Sequence, residues 1–206
     1  MKLFLASLAS ATLDLALPLL PDKPQNLKLA FIPTAADPYG DIDMPWMTAD
    51  HDKLVAMGFV VTNYDLKHKD VNQLRSDLSQ FQVIFVAGGN TFYLLSEVKK
   101  SGFDIVIKEL LNQGVIYIGA SAGSMILGPD LNHLTKIDHP EQVPELTDYT
   151  CLKLVKERIV PHFGHEKYAH IHSELAQTWG DKVLALHDDQ ALVVNGDKIE
   201  VVTSKR

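Results

Sequence analysis

The sequence has little cysteine and no long apolar run. Cys151 is the one cysteine among 206 residues, so an intrachain disulfide is impossible, which favours a reducing, cytoplasmic compartment. No apolar run reaches the roughly 18 residues that a membrane-spanning helix needs, and we expect no membrane partner. The stretch MKLFLASLASATLDLALPLL has some features of a short signal peptide, but Asp14 interrupts it. We expect a first buried strand there instead.

Positive charge is also scarce. The chain has 19 Lys and Arg residues against 26 Asp and Glu residues, a formal net charge of −7. A nucleic-acid partner would favour a basic patch, so we expect none. Hydrophobic residues make up 46% of the chain, enough to bury a core. The length fits a single domain over residues 1–206, while the oligomeric state stays open.

Short apolar runs alternate with segments of helical spacing. The apolar runs are nearly continuous, which is typical of a parallel sheet covered by helices on both faces. Near the end, NGD separates two further strand-like runs, and Asn195-Gly196 favours the positive φ angles of a tight hairpin. The sequence therefore predicts a doubly wound, mostly parallel α/β fold with a C-terminal β-hairpin. The first five strands are predicted within residues 2–7, 27–35, 59–66, 83–89 and 115–119, and the helices within residues 11–20, 44–58, 71–81, 91–99, 104–112 and 166–179.

The segment GASAGS follows the fifth predicted strand. Its pattern Gly119-x-Ser121-x-Gly123 has the spacing of a nucleophile elbow, in which a sharp strand-to-helix turn presents a serine hydroxyl. Ser121 is therefore a candidate nucleophile. A simple helix N-cap, whose side-chain oxygen accepts from a free backbone N–H group, is the alternative.

A serine nucleophile needs a base and an acid that orients the base. His162 in IVPHFG closely follows a predicted strand end and is the best-placed base, although it could simply fill space beside Phe163. His162-x-x-His165-Glu166 does not match a zinc spacing, so we expect no metal and no cofactor. Residues 127–149 form a long loop that offers several candidate acids, which spacing alone cannot rank. These are Asp130, Asp138, Glu141, Glu145 and Asp148.

Acyl transfer also needs donors for a developing oxyanion. The backbone N–H of Ala122 is one candidate, because it lies at a helix start. The loop AGGNT offers a second, since Gly88 and Gly89 allow a ligand to approach the backbone closely. An ordinary strand-to-helix turn is the alternative reading. The loop lacks the lysine of a nucleotide-binding P-loop.

The sequence contains four motifs in this order: FVAGGNTFYLL, YIGASAG, IDHP and IVPHF. This series of motifs resembles that of the peptidase E family of serine peptidases, the aspartyl dipeptidases. The resemblance implies a class I glutamine-amidotransferase-like α/β fold and cleavage of dipeptides that begin with aspartate. It implies Ser121 as nucleophile, His162 as base and Asp138 of IDHP as the triad acid. From the Gly-Gly-Asn-Thr loop it implies Gly89 as an oxyanion donor and Asn90 as a substrate contact.

Two departures from the family pattern leave alternatives open. The spacing from Ser121 to Asp138 is longer than in the family, so Glu141, Glu145 and Asp148 also remain candidate acids. The segment GHEKYAHIHSELAQ contains no arginine where the family carries one. We therefore expect a serine-type peptidase of short peptides, with a weaker or altered preference for N-terminal aspartate. A related hydrolase, cyanophycinase-like or an esterase, and a non-catalytic binding protein on the same fold are the alternatives.

Overall fold

A computed structural model describes residues 1–40, 44–136 and 138–205. A seven-stranded sheet has the order β3-β2-β4-β5-β1-β8-β9, and β6 pairs with β7 in a separate small sheet. Strands β1 to β5 run parallel to one another, whereas β8 is antiparallel to β1 and β9 is antiparallel to β8. The strands are β1 (Lys2–Ala6), β2 (Lys28–Ile32), β3 (Val60–Asn63), β4 (Val83–Val86), β5 (Ile116–Ala120), β6 (Arg158–Val160), β7 (Val183–Ala185), β8 (Gln190–Asn195) and β9 (Lys198–Thr203).

The predicted α/β class with its mostly parallel sheet and C-terminal hairpin is confirmed. One detail of the hairpin differs from the prediction. Asn195 pairs with Lys198 inside the ladder, so the turn consists of Gly196 and Asp197. The positive φ of +62° belongs to Gly196, and Asn195 keeps an extended strand conformation.

Helices connect successive strands along the chain and pack on the sheet. The α-helices are α1 (Ala9–Thr12), α2 (Pro45–Met57), α3 (Val71–Leu78), α4 (Thr91–Ser101), α5 (Phe103–Asn112), α6 (Ala122–Met125) and α7 (Ala169–Trp179). A helix was predicted within residues 11–20, where the structure has the end of α1 and a 3₁₀ helix over Leu13–Leu19. Pro18 lies inside that segment and has no N–H to donate to the carbonyl of Asp14, so an α-helix cannot continue through it. None of the described helices is both long and apolar enough to cross a membrane.

The core consists of two apolar layers, one on each face of the sheet. Along β1, Leu3 and Leu5 face the layer that contains Phe92 of α4 and Phe103 of α5. Phe4 faces the opposite layer. This alternation follows from the two-residue period of a strand. With both faces covered, the carboxyl ends of the parallel strands remain as the place for a ligand.

Topology brings four chain segments to one edge of the sheet. The loops after β4, β5 and β1 begin at the carboxyl ends of adjacent strands. Strand β8 runs antiparallel to β1, so its first residues lie at that same edge. The residues just before β8, including Asp188, therefore join the edge that carries Ser121.

Candidate active site

Ser121 lies in a sharp turn between β5 and α6. Its backbone has φ +46° and ψ −105°, a sparsely populated conformation that holds strain and often marks functional sites. The flanking glycines permit the turn: a Cβ on Gly123 would lie 2.1 Å from the carbonyl oxygen of Val86, and one on Gly119 would lie 2.6 Å from the carbonyl carbon of Gly123. Ser121 makes no side-chain capping hydrogen bond to α6. Its hydroxyl is therefore not used as the N-cap that was the alternative reading.

His162 links Ser121 to an acid. Its Nε2 lies 3.1 Å from Oγ of Ser121, and its Nδ1 lies 2.6 Å from Oδ1 of Asp188. An ionised carboxylate can only accept, so we assign the proton to Nδ1, which leaves Nε2 free to accept from the serine hydroxyl. The backbone of His162 has φ +57°, again in the left-handed region. The arrangement is that of a nucleophile, a base and an orienting acid.

Among the contacts of the described residues, Asp138 makes no hydrogen bond or ion pair with His162, in contrast to the role that the family resemblance implies. Its Oδ2 accepts a hydrogen bond of 2.7 Å from the backbone N–H of Thr91, at the first turn of α4. There its negative charge also complements the positive end of the helix dipole. Ile137, the first residue of the IDHP motif, lies outside the described residues.

The other loop carboxylates also have partners elsewhere. Glu141 bonds to His139, Glu145 bonds to Lys100, and Asp148 bonds to Lys99. Asp130 pairs with Arg158. Asp188, the carboxylate that contacts His162, lies just before β8 and not in the long loop over residues 127–149. The available signal in the sequence is an aspartate pair, Asp188-Asp189, shortly before the strand-like run ALVV.

The side chain of Asn90 makes hydrogen bonds within the protein. It is fully buried. Its Oδ1 accepts from the backbone N–H of Tyr93 at 2.9 Å and so caps α4. Its Nδ2 donates to Oε1 of Gln142 at 3.0 Å and to the carbonyl of His139 at 3.3 Å. The side chain thus ties the long loop to α4, which differs from the expected substrate contact.

The glycine loop after β4 lies directly against the serine turn. A Cβ on Gly88 would lie 3.3 Å from Cβ of Ser121. Gly89 has φ +143°, and a Cβ there would lie 2.1 Å from the carbonyl oxygen of Ala35. Ala122 is the first residue of α6, so its N–H group has no acceptor within the helix. The loop after β4 thus packs against the turn that carries Ser121.

Two buried or half-buried carboxylates lie near the histidine. Hydrogen bonding to His162 lowers the pKa of Asp188, so the carboxylate stays ionised. Asp50 of α2 is 2% exposed, and its Oδ1 accepts from the backbone N–H of Ser10 at 2.7 Å. Burial raises the pKa of Asp50 to about 6. Among the described residues, no cluster of three or more His, Cys, Asp or Glu side chains is arranged to hold a metal ion.

Comparisons with known proteins agree on one family. Residues 6–202 match the model of peptidase family S51. The chain is 30% identical over 199 residues to an uncharacterized peptidase of Pasteurella multocida, with 95% of this chain and 94% of the relative covered. It is 32% identical over 154 residues to peptidase E of Escherichia coli, with 74% of this chain and 63% of that protein covered.

A solved structure shows the same fold. The crystal structure of a protein from Listeria monocytogenes, provisionally named peptidase E, superposes with a TM-score of 0.90 at 26% identity and covers 98% of each chain. A family match over nearly the whole chain accompanies this structural likeness. The chain therefore belongs to peptidase family S51 and is a serine-type peptidase.

Proposed function

We propose that this peptidase hydrolyses short peptides through a triad of Ser121, His162 and Asp188. One observation carries the proposal: an unbroken chain of contacts runs from Oγ of Ser121 to Nε2 of His162, and from Nδ1 of His162 to Oδ1 of Asp188. Both contacts are within the hydrogen-bond distance that proton transfer to a base requires.

In the first half of the reaction, Oγ of Ser121 attacks the scissile carbonyl carbon while Nε2 of His162 takes the hydroxyl proton. The resulting imidazolium is stabilised by the ionised Asp188. The tetrahedral intermediate then collapses, the C–N bond breaks, and His162 returns the proton to the leaving amine. An acyl-enzyme ester on Ser121 remains.

In the second half, water attacks the ester and His162 takes its proton. Collapse of the second tetrahedral intermediate breaks the bond to Oγ, the serine recovers its proton, and the acid product leaves. His162 thus acts first as base and then as acid in each half of the reaction.

The backbone N–H groups of Ala122 and Gly89 are the proposed donors to the oxyanion of both intermediates, with Gly88 allowing the close approach. The support is the position of both loops beside Ser121 and the absence of an intrahelical acceptor for the Ala122 N–H. Loss of a single oxyanion donor costs an enzyme about a hundred- to a thousandfold in kcat.

Dipeptides are the proposed substrate class, and the similarity to relatives named peptidase E supports this choice. The test is a library of dipeptides, longer peptides and simple esters, assayed with wild-type protein and with Ser121→Ala. We expect turnover of dipeptides that is lost in the variant. Turnover of esters alone would favour the esterase alternative. If no substrate is turned over and a fluorophosphonate probe does not label the protein, a binding protein is favoured.

A further inference from the structure

Ser7 is a buried polar residue at the centre of the candidate site. It directly follows β1 and is 1% exposed. It lies outside β1, and the N-cap of α1 is Leu8, which has no side-chain capping bond, so neither element requires a hydroxyl at Ser7. A buried hydroxyl is costly unless it is hydrogen-bonded.

Both hydrogen-bonding functions of this hydroxyl go to members of the triad. Oγ of Ser7 donates to Oδ1 of Asp188 at 3.0 Å. The same Oγ accepts from the backbone N–H of His162 at 2.7 Å. Since the hydroxyl has one proton, and since the carboxylate and the amide have fixed roles, the direction of both bonds is determined.

These bonds close a ring of contacts. Oδ1 of Asp188 is also the atom that meets Nδ1 of His162. A path therefore runs from the His162 backbone through Ser7 and Asp188 back to the His162 ring. The backbone N–H of Ser7 also donates to the carbonyl of Gln190 at 3.2 Å, which anchors the start of β8 two residues after Asp188.

The ring acts where the backbone is strained. His162 has φ +57°, a conformation that is unfavourable for a residue other than glycine and persists only when neighbours hold it. The Ser7 hydroxyl holds the amide of that residue, while its proton selects one rotamer of Asp188. Such supporting hydrogen bonds keep catalytic groups in productive geometry.

We propose that Ser7 is a positioning residue of this peptidase, which sets the imidazole of His162 and the carboxylate of Asp188 relative to Ser121. The inference rests on the proposed triad. Ser7 makes no contact with the reacting atoms in this role. Its loss should therefore slow the chemical step and leave peptide binding nearly unchanged.

The test compares Ser7→Ala with wild type on the best dipeptide, at a temperature well below unfolding. We expect kcat to fall about 10- to 100-fold, the scale set by small misplacements of catalytic groups, with KM changed less than about threefold. The rate of Ser121 labelling by a fluorophosphonate should fall in parallel. Ser7→Cys fills a similar volume with a weak donor and should show the same loss if Ser7→Ala does not fold.

Ser101→Ala is the matched control. Ser101 is 3% exposed, and its hydroxyl donates to the carbonyl of Glu97 at 2.7 Å inside α4. This variant loses a buried hydroxyl away from the site and should keep wild-type kcat. A Ser7 variant that is folded, destabilised like Ser101→Ala and unchanged in kcat would overturn the inference.

A double-mutant cycle separates the inference from the proposed triad. In a His162→Ala background, Ser7→Ala should change the residual rate less than about twofold, because the imidazole it positions is gone. An equal loss in both backgrounds shows that Ser7 acts independently of His162 and overturns the inference alone. Wild-type activity in His162→Ala overturns the triad itself.

Discussion

Oδ1 of Asp188 lies 2.6 Å from Nδ1 of His162, although the two residues come from different strand ends. Asp188 precedes the antiparallel strand β8, and His162 follows β6. Pairing of β8 with β1 brings the aspartate to the edge of the sheet that carries Ser121. The relationship favours Asp188 over Asp138 as the triad acid.

Asp188→Asn should lower kcat by about four orders of magnitude. The amide presents either a donor or a neutral acceptor to Nδ1, so it neither fixes the reactive tautomer nor stabilises the imidazolium. Steady-state kinetics on a dipeptide measure the loss. Asp138→Asn is the control, because an amide oxygen can still accept from the N–H of Thr91, and kcat should stay within about threefold. A larger loss of kcat in Asp138→Asn than in Asp188→Asn would show that Asp138 is the triad acid.

Ser121→Ala should abolish labelling by a fluorophosphonate and reduce turnover by several orders of magnitude, since the triad acts as a unit. The comparison is Ser124→Ala, which loses a hydroxyl that donates to the carbonyls of Ala6 and Gly119 at 2.8 and 2.9 Å. That change should lower stability but leave the labelled serine in place. Mass spectrometry of the labelled peptide identifies the modified residue, and a label on Ser124 would contradict the assignment of the nucleophile.

The strands and the serine turn could be predicted from local sequence, because apolar runs and flanking glycines reflect short-range constraints. The acid could not. The position of Asp188 depends on the antiparallel pairing of β8 with β1. That pairing joins Ala191, near the end of the sequence, to Ala6, near its beginning. The contacts of Asn90 could not be predicted for a related reason, since its partners His139 and Gln142 come from a loop without periodicity.

Asp50→Asn should stabilise the protein near neutral pH and not at pH 4. An unperturbed aspartate has a pKa of about 3.9, while burial raises the pKa of Asp50 to about 6 in the folded state. Between these values the folded state binds more protons than the unfolded state, so the free energy of unfolding decreases as pH rises through this window. The gap of about two pKa units corresponds to about 3 kcal/mol.

Urea unfolding at pH 4 and pH 7.5 measures this effect as a difference between variant and wild type. The amide oxygen of the variant can still accept from the N–H of Ser10, so the folded contact is kept. Asp52→Asn, which removes an exposed carboxylate from the same helix, is the matched control. Parallel curves for Asp50→Asn and wild type would mean that Asp50 does not carry the buried proton.

The last prediction concerns the preference for N-terminal aspartate. An aspartyl side chain in a binding pocket needs a cation or several donors, because an unpaired buried charge is costly. After His162, Lys167 is the first lysine or arginine in the sequence. Its Nζ lies 5.1 Å from the ring centroid of Tyr168, which stacks on the imidazole of His162 at 5.9 Å. Arg158 is already paired with Asp130.

One charged contact contributes roughly 1.5–3 kcal/mol, which is about one to two decades in kcat/KM. We therefore expect Asp-Leu to exceed Asn-Leu and Ala-Leu by less than about a thousandfold at fixed pH and salt. Lys167→Met should reduce the ratio of Asp-Leu to Asn-Leu, whereas Lys198→Met on β9 should not change it. A preference above about a thousandfold that survives Lys167→Met would show that other groups in the pocket recognise the aspartyl carboxylate, and the expectation of a weak preference would be wrong.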